Sequence, residues 1–314
     1  MPYTAQTRAN LADVFDLAIK AEDLANTEFE MTPAQYSEYF HIKPIVTKDV
    51  KMSKVGGPSV FSLTSEGSDY SEKEIVQGYD HVITPGKYTM ALPLTEEAID
   101  DDPKSVLNVQ WISQEAVKAA RATYETVCAG ILNDGFTSTT TPDGQILFSN
   151  GHTLTSGGTT YSNLMTSALD ADGSAISTAF QKIRDNFYDT GSRRINVMNW
   201  CLVVPSALKQ TALKCTTALY GNQTYSSPTP VQSGELMGRI RVVEVPELSS
   251  PTAWFLVPDP KVVGYDCPLV VADRQRLRIN VKQAQSNMDF ELYASIRFSP
   301  GVKGYQVLGS TGGA

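Results

Sequence analysis

Few residues of this sequence combine the type and the spacing that chemistry requires. The three histidines, His41, His81 and His152, are far apart, and none stands in an HExxH or similar metal-binding pattern. The sequence also lacks a GxSxG motif for a nucleophilic serine and a GxxxxGKS or GxxxxGKT loop for a phosphate. His152, in a polar loop, is the strongest candidate for a catalytic base, so a soluble hydrolase that uses His152 stays open as an alternative. We otherwise predict no enzyme, and no catalytic, cofactor-binding or metal-binding residues.

The carboxylates and cysteines that resemble metal ligands have simpler explanations. Three consecutive aspartates precede Pro103, where carboxylates cap a helix and proline suits the first helical position. Two of them, Asp100 and Asp101, are also candidates for contact with another chain. The four cysteines lack CxxC spacing, which predicts neither a zinc site nor a disulfide framework and fits a reducing compartment. They are Cys128, Cys201, Cys215 and Cys267.

Charge and length exclude several classes of protein. The 314 residues include 34 acidic and 26 basic side chains, for a formal net charge of -8. Because neutralising phosphates needs clustered Lys and Arg, a protein that grips nucleic acid is not expected, although a negative wall around nucleic acid is compatible with this charge. The start lacks an export signal, and no stretch approaches the roughly 20 apolar residues that span a bilayer. We therefore expect a soluble protein that is made in the cytoplasm.

A long polar hairpin is the clearest element that could position a contact. Residues 41–94 are rich in Val, Thr, Ser, Lys and Gly with alternating stretches, and Ser65 to Asp69 forms a turn cluster. With few large apolar residues, such a two-stranded ribbon is only marginally stable alone, so we predict that it lies on another chain. The candidate contact residues are Lys51, Lys54, Glu66, Gly67 and Asp69, the lysines through ion pairs with an acidic patch of a neighbour.

The remaining pattern predicts an α+β fold. Apolar spacing indicates an amphipathic helix over 10–26, a helix of about 40 Å over 104–132 and a third helix over 174–188. The second half predicts short strands at 200–204, 239–245 and 253–257, a helix over 205–220, an exposed loop over 221–234, and a half-buried strand over 288–298.

This order of elements resembles the major capsid proteins of tailed bacteriophages, which have the Hong Kong 97-type fold. The loop from Asp143 to His152 is similar to one in the major subunits of Mu-like heads. The resemblance covers nearly the whole chain. Other matching stretches are Ser65-Glu66-Gly67, Leu94-Thr95-Glu96-Glu97, Leu202-Val203-Val204-Pro205, Trp254-Phe255-Leu256-Val257-Pro258-Asp259 and Ser299-Pro300-Gly301.

The resemblance implies a division of the chain into the parts of such a subunit. An N-terminal arm with an amphipathic helix would occupy 1–40, and an extended β-hairpin loop 41–94. A peripheral domain would occupy 95–199, with its spine helix at 104–132. An axial domain would follow over 200–265, and residues 266–314 would return to the peripheral domain.

The function that the resemblance implies is assembly into hexamers and pentamers that close into an icosahedral shell around double-stranded DNA. The expected location is the virion capsid, assembled in the bacterial host cytoplasm. Expected partners are copies of the same chain, a portal protein and possible decoration proteins, with no membrane and no sequence-specific DNA contact. Because the first helix begins within about ten residues of Met1, we expect a separate scaffolding protein. An encapsulin-like nanocompartment shell is the alternative with the same fold.

Overall fold

The computed structural model describes residues 34–94, 109–155, 157, 159–195, 199–219, 240–283 and 290–313. The strands are β1 (His41–Pro44), β2 (Val50–Gly56), β3 (Val76–Ile83), β4 (Gly86–Leu94), β5 (His152–Thr153), β6 (Thr160–Tyr161), β7 (Leu164–Met165), β8 (Trp200–Val204), β9 (Ile240–Glu244), β10 (Trp254–Pro258), β11 (Leu269–Gln283), β12 (Phe290–Val302) and β13 (Leu308–Ser310). The α-helices are α1 (Val109–Asn133), α2 (Ser174–Asn186), α3 (Lys209–Leu219) and α4 (Pro260–Val263), and short 3-10 turns lie at Tyr36–Glu38, Asp134–Phe136, Ser206–Leu208 and Gly264–Asp266.

The long helix α1 packs on a four-stranded sheet of order β1-β11-β12-β4. Its buried positions recur at helical spacing, so one stripe of the helix faces the sheet. Tyr124 on this stripe stacks on Phe298 of β12 with ring centroids 3.8 Å apart. The stripe comprises Ala116, Val117, Ala120, Tyr124, Cys128 and Leu132. The residues of β12 in the same core are Leu292, Ala294, Ile296 and Phe298.

A second sheet, of order β7-β13-β10-β8-β9, lies between two apolar cores. Along β8 the side chains alternate, because Cys201 and Val203 join the core under α1 while Trp200, Leu202 and Val204 join the core under α2. Strands that are buried on both faces appear in a sequence as unbroken apolar runs rather than alternating ones. This explains the runs at 200–204 and 254–258.

Several predictions from the sequence agree with this structure. The α+β class is confirmed, as are the strands near 200–204, 240–244 and 254–258 and the helices over 174–186 and 209–219. The described part of the long helix, Val109–Asn133, also agrees. The predicted helix over 10–26, the predicted start of the long helix at 100–108 and the predicted loop over 221–234 lie outside the described residues.

Three features of the strands differ from expectation. The alternating stretches over 41–94 predicted a two-stranded ribbon around the turn cluster at Ser65 to Asp69, but pairing of β2 with β3 ends at Gly56 and Val76. Pro58, which has no N–H to donate, stands just beyond that end. The half-buried strand extends to Val302, and its partner β11 is a second long strand that the sequence did not reveal.

The final strand also bears on the expected domain boundaries. Of the segment 266–314, which was expected to return to the peripheral domain, β11 and β12 lie in the first sheet, whereas β13 pairs with β10 and β7 in the second sheet. Helix α2 packs against the core that contains Trp200, although 174–186 falls within the expected peripheral domain. The division into peripheral and axial domains stays a prediction.

Candidate functional site

The paired part of the extended loop is anchored on the first sheet. β2 and β3 form an antiparallel ribbon with a register shift between Ser53 and Val55. Near the sheet, their apolar side chains cover the face of β11 that is turned away from α1. This small core fixes the ribbon to its own subunit. It comprises Ile45, Val50, Met52, Ile83, Val270 and Ala272.

The ribbon is attached at a second place, where its backbone closely contacts the turn 189–193. A Cβ atom added to Gly191 would lie 2.3 Å from the carbonyl oxygen of Gly57, and one added to Gly56 would lie 2.6 Å from the nitrogen of Gly191. Such distances require that these positions lack side chains. The two contacts together define the direction in which the ribbon leaves the body of the subunit.

Beyond these two contacts the ribbon projects from the subunit. We call residues 57–75 the ribbon tip, and nearly every one of them is exposed. It includes large apolar side chains: Phe61 is 100% exposed, Leu63 104% and Tyr70 97%. Burying one such side chain contributes about 1.5–3 kcal/mol, so leaving three of them in water is costly unless another surface covers them. The sequence had suggested few large apolar residues here, and it is their exposure that makes the tip a candidate interface.

The tip is also acidic and ends in a tight turn. The predicted turn at Glu66 and Gly67 is present, with Gly67 at a φ of 79° and the Ser68 N–H donating to the Ser65 carbonyl at 3.1 Å. Asp69 follows the turn and is exposed. The tip carries four carboxylates against the single lysine Lys73, which gives it a strong negative charge. The carboxylates are Glu66, Asp69, Glu72 and Glu74.

The two candidate lysines of the ribbon occupy different environments. Lys51 Nζ lies 2.7 Å from Asp80 Oδ2 on the paired strand, and its side chain remains 60% exposed. Lys54 instead points into the subunit, where Nζ donates to Gln306 Oε1 at 2.8 Å. Lys54 therefore does not lie on the outer surface of the ribbon, and its ion pair with a neighbour stays a prediction. Asp100 and Asp101 lie outside the described residues.

His152 is held inside the fold by an aspartate. Its ring is fully buried, Nδ1 lies 2.8 Å from Asp143 Oδ2, and Nε2 lies 3.2 Å from the Leu147 carbonyl oxygen. Burial alone would raise the pKa of Asp143, but hydrogen bonds from His152 and Thr141 outweigh burial and lower that pKa. Both ring nitrogens face protein oxygens, so neither is available to a substrate. The geometry does not support the hydrolase alternative.

Asn163 completes this network and was not singled out from the sequence. Its buried Nδ2 lies within 2.6–2.9 Å of the carbonyl oxygens of Leu147, Tyr305 and Val307, and its Oδ1 accepts from the Ser149 N–H at 2.9 Å. The loop that resembles capsid subunits is thereby tied to the last segment of the chain. Nothing in an isolated Asn distinguishes this role, because its partners are backbone atoms distant in the sequence.

Within the described ranges, no three His, Cys, Asp or Glu side chains come together in a group that could hold a metal ion. In the same ranges, no helix has the length and apolar character needed to cross a membrane. The exposed ribbon tip, with its apolar and acidic side chains, is the feature with the clearest potential for function.

A protein-family model covers most of the chain. The model of a family described as phage capsid protein matches residues 78–305. A comparison with curated proteins found no match.

Solved structures share the fold at low sequence identity. The capsid of the cyanophage P-SCSP1u matches with a TM-score of 0.56 and 13% identity, over 88% of this chain and 86% of that chain. A structure of Mycobacterium phage Adephagia matches with a TM-score of 0.52 and 12% identity, over 89% and 90%. The capsid of an empty GTA particle matches with a TM-score of 0.50 and 12% identity, over 89% and 90%. These likenesses confirm the expected Hong Kong 97-type architecture.

Proposed function

The chain belongs to the phage capsid protein family, and from this premise we propose that its copies form hexamers and pentamers that close into an icosahedral shell around double-stranded DNA. It is a structural protein of the virion capsid. The finer features belong to the proposal: assembly in the bacterial host cytoplasm, a separate scaffolding protein, a portal protein and possible decoration proteins. Protein cargo, which the encapsulin alternative requires, has no support in the family match.

The observation that carries the proposal is the exposed ribbon tip. A subunit that anchors the base of a ribbon firmly and leaves Phe61, Leu63 and Tyr70 in water is incomplete by itself. We place a neighbouring subunit over the tip, with Glu66, Gly67 and Asp69 at the contact. Lys51 stays a candidate because its side chain is still largely exposed, and Asp100 and Asp101 stay predictions.

The test removes the apolar side chains of the tip without touching either core. We expect wild-type protein, expressed with its scaffolding protein, to form closed shells in electron micrographs. The double variant Phe61→Ser and Leu63→Ser should remain as free subunits or capsomers, because about 3–6 kcal/mol of apolar burial per contact is lost. Its thermal unfolding should match wild type, since both side chains are already exposed in the subunit.

The matched control is Val262→Ser, which removes an exposed apolar side chain from α4, away from the tip. This variant should assemble normally. Wild-type shell yields from the double variant would refute the role of the tip. Wild-type protein that stays monomeric, even with its scaffolding protein present, would refute the assembly proposal itself.

A further inference from the structure

A cleft of about 660 Å³ lies where four segments of the chain meet. The base of the ribbon contributes Lys54, and the turn after α2 contributes Asp189, Arg193 and Arg194. The third wall, from 258–268, includes Asp266, and the fourth, from 303–306, includes Lys303. Its volume falls within the range of about 300–1,000 Å³ that small ligands occupy in proteins.

The charges that line the cleft do not balance. Arg193 Nη2 lies 3.1 Å from Asp189 Oδ2, and Lys303 Nζ lies 3.6 Å from Asp266 Oδ1. These two ion pairs account for both carboxylates of the lining. Lys54 and Arg194 remain, so the cleft carries two positive charges in excess.

The hydrogen bonds of the two remaining cations end on neutral atoms. Lys54 Nζ donates to the amide oxygen Gln306 Oε1 at 2.8 Å, and Arg194 Nε donates to the Tyr188 hydroxyl at 3.1 Å. Burial and the nearby Lys303 ammonium lower the pKa of Lys54 to about 8, although the carboxylates of Asp189 and Asp266 act in the opposite direction. The buried Lys54 ammonium lies near a second cation and donates its hydrogen bond to a neutral acceptor, so an anion in the cleft would stabilise its charged form further.

We propose that this cleft binds an oxyanion, either a phosphate or a carboxylate group, between Lys54 and Arg194. Ammonium and guanidinium groups form short, charge-assisted hydrogen bonds with such anions. One source is inorganic phosphate from solution. The other is an acidic side chain of a second copy of the chain, and this source rests on the proposed shell assembly. In either case the anion would tie the base of the ribbon to the turn after α2.

The first experiment uses the unassembled full-length chain and inorganic phosphate, with sodium chloride adjusted to hold ionic strength constant. We expect phosphate to raise the thermal midpoint of wild type by about 2 °C or more. Lys54→Met and Arg194→Met should each weaken phosphate affinity about tenfold or more, because each removes a charge-assisted hydrogen bond. Arg194 is exposed, so its variant keeps the test valid if the change at Lys54 disturbs packing.

Lys87→Met provides the control, because Lys87 is an exposed cation of β4 outside the cleft lining. Its phosphate response should equal that of wild type. The proposal is overturned if wild type shows no phosphate effect, or if both cleft variants respond as strongly as Lys87→Met. The phosphate experiment uses unassembled subunits, so it gives a result even if the chain does not form shells.

A second arm identifies the source of the anion in assembled shells. If the ligand is free phosphate, phosphate should stabilise wild-type shells against denaturant as it stabilises the subunit. If the ligand is a carboxylate of a second copy, wild-type shells should ignore phosphate, and Lys54→Met shells should dissociate at a lower denaturant concentration. If neither phosphate nor the loss of Lys54 changes the denaturant concentration at which shells dissociate, the assembled cleft holds no anion.

Discussion

Glu125 fastens the long helix α1 to the segment that precedes β1. Its Oε1 accepts from the Gln35 N–H at 2.7 Å, and its Oε2 accepts from the Tyr36 N–H at 2.9 Å. The ring of Tyr36 also stacks on Tyr124 of the helix at 5.1 Å. Burial raises the pKa of Glu125 to about 7, although the two backbone hydrogen bonds act in the opposite direction. One carboxyl group therefore makes this attachment depend on pH.

The sign of that dependence follows from the direction of the shift. With a pKa of 4.5 in the unfolded chain and about 7 in the fold, Glu125 binds its proton more tightly in the folded state. The free energy of unfolding should fall by up to about 3 kcal/mol as pH rises from 4.5 to 7. Glu125→Gln should flatten this part of the curve in denaturant titrations of the unassembled chain.

The control for this titration is Glu66→Gln, which neutralises an exposed carboxylate of the ribbon tip. It should keep the wild-type slope between pH 4.5 and pH 7. A slope that Glu125→Gln leaves unchanged would show that other groups control the pH dependence.

In the candidate site, the sequence predicts features that local chemistry determines, but not the environments that distant segments create around single residues. The turn at Glu66 and Gly67 was predictable, because local chemistry determines it. The environments of Lys54 and His152 were not, because Gln306 and Asp143 meet them only in the folded chain. A pattern of residue types indicates which groups can react or pair, but burial and partners depend on distant segments.

At the scale of elements, the contact between the ribbon and the turn 189–193 allows a direct steric test. Gly191→Ala places a methyl group 2.3 Å from the Gly57 carbonyl, so the turn 189–193 and the ribbon must separate. We expect a loss of about 1–3 kcal/mol in stability. Amide hydrogen exchange in β2 and β3 should accelerate at least tenfold, while exchange in β8 and β10 stays near that of wild type.

Gly130→Ala is the matched control, because a Cβ atom at this position of α1 meets no atom within 4 Å. It should leave ribbon exchange unchanged and raise stability by up to about 1 kcal/mol, since Ala favours the helix over Gly. Ribbon exchange that stays at the wild-type rate in Gly191→Ala would show that the contact does not hold the ribbon.

The elements that could be predicted share a simple periodicity. Helix α1 and strand β12 have clean apolar spacing, and both were expected from the sequence. Strand β11 was not, because register shifts between Asp273 and Arg278 interrupt its alternation. Its membership of the first sheet comes from pairing with β12 and β1, which no local pattern encodes.

At the scale of the whole molecule, the two sheets and their cores form a firm body, while the ribbon tip stays unpaired. Exposed tips of this kind are preferred sites of proteolysis. We expect trypsin to cut unassembled subunits after Lys73, which lies in the exposed tip. In assembled shells the same cut should slow at least tenfold, because the neighbouring subunit would cover the tip.

Lys118 supplies the internal reference for this experiment. It is also exposed, but it lies within α1, where the helical backbone resists the protease in both states. Equal rates of cleavage after Lys73 in subunits and in shells would place the tip outside the assembled contact.

The parallel pairing of β1 with β11 has a consequence for the order of folding. His41 lies opposite Val270 and Pro44 opposite Asp273, so the two partners are separated by most of the chain. Contacts of such high sequence separation form slowly, because the loop between them must close first. A chain leaving the ribosome cannot form this pairing until residue 273 has emerged, and it cannot complete the sheet until β12 has emerged as well. Completion of the first sheet is thus a late event of synthesis, and a chain cut short before Val270 lacks the strand on which its ribbon is anchored.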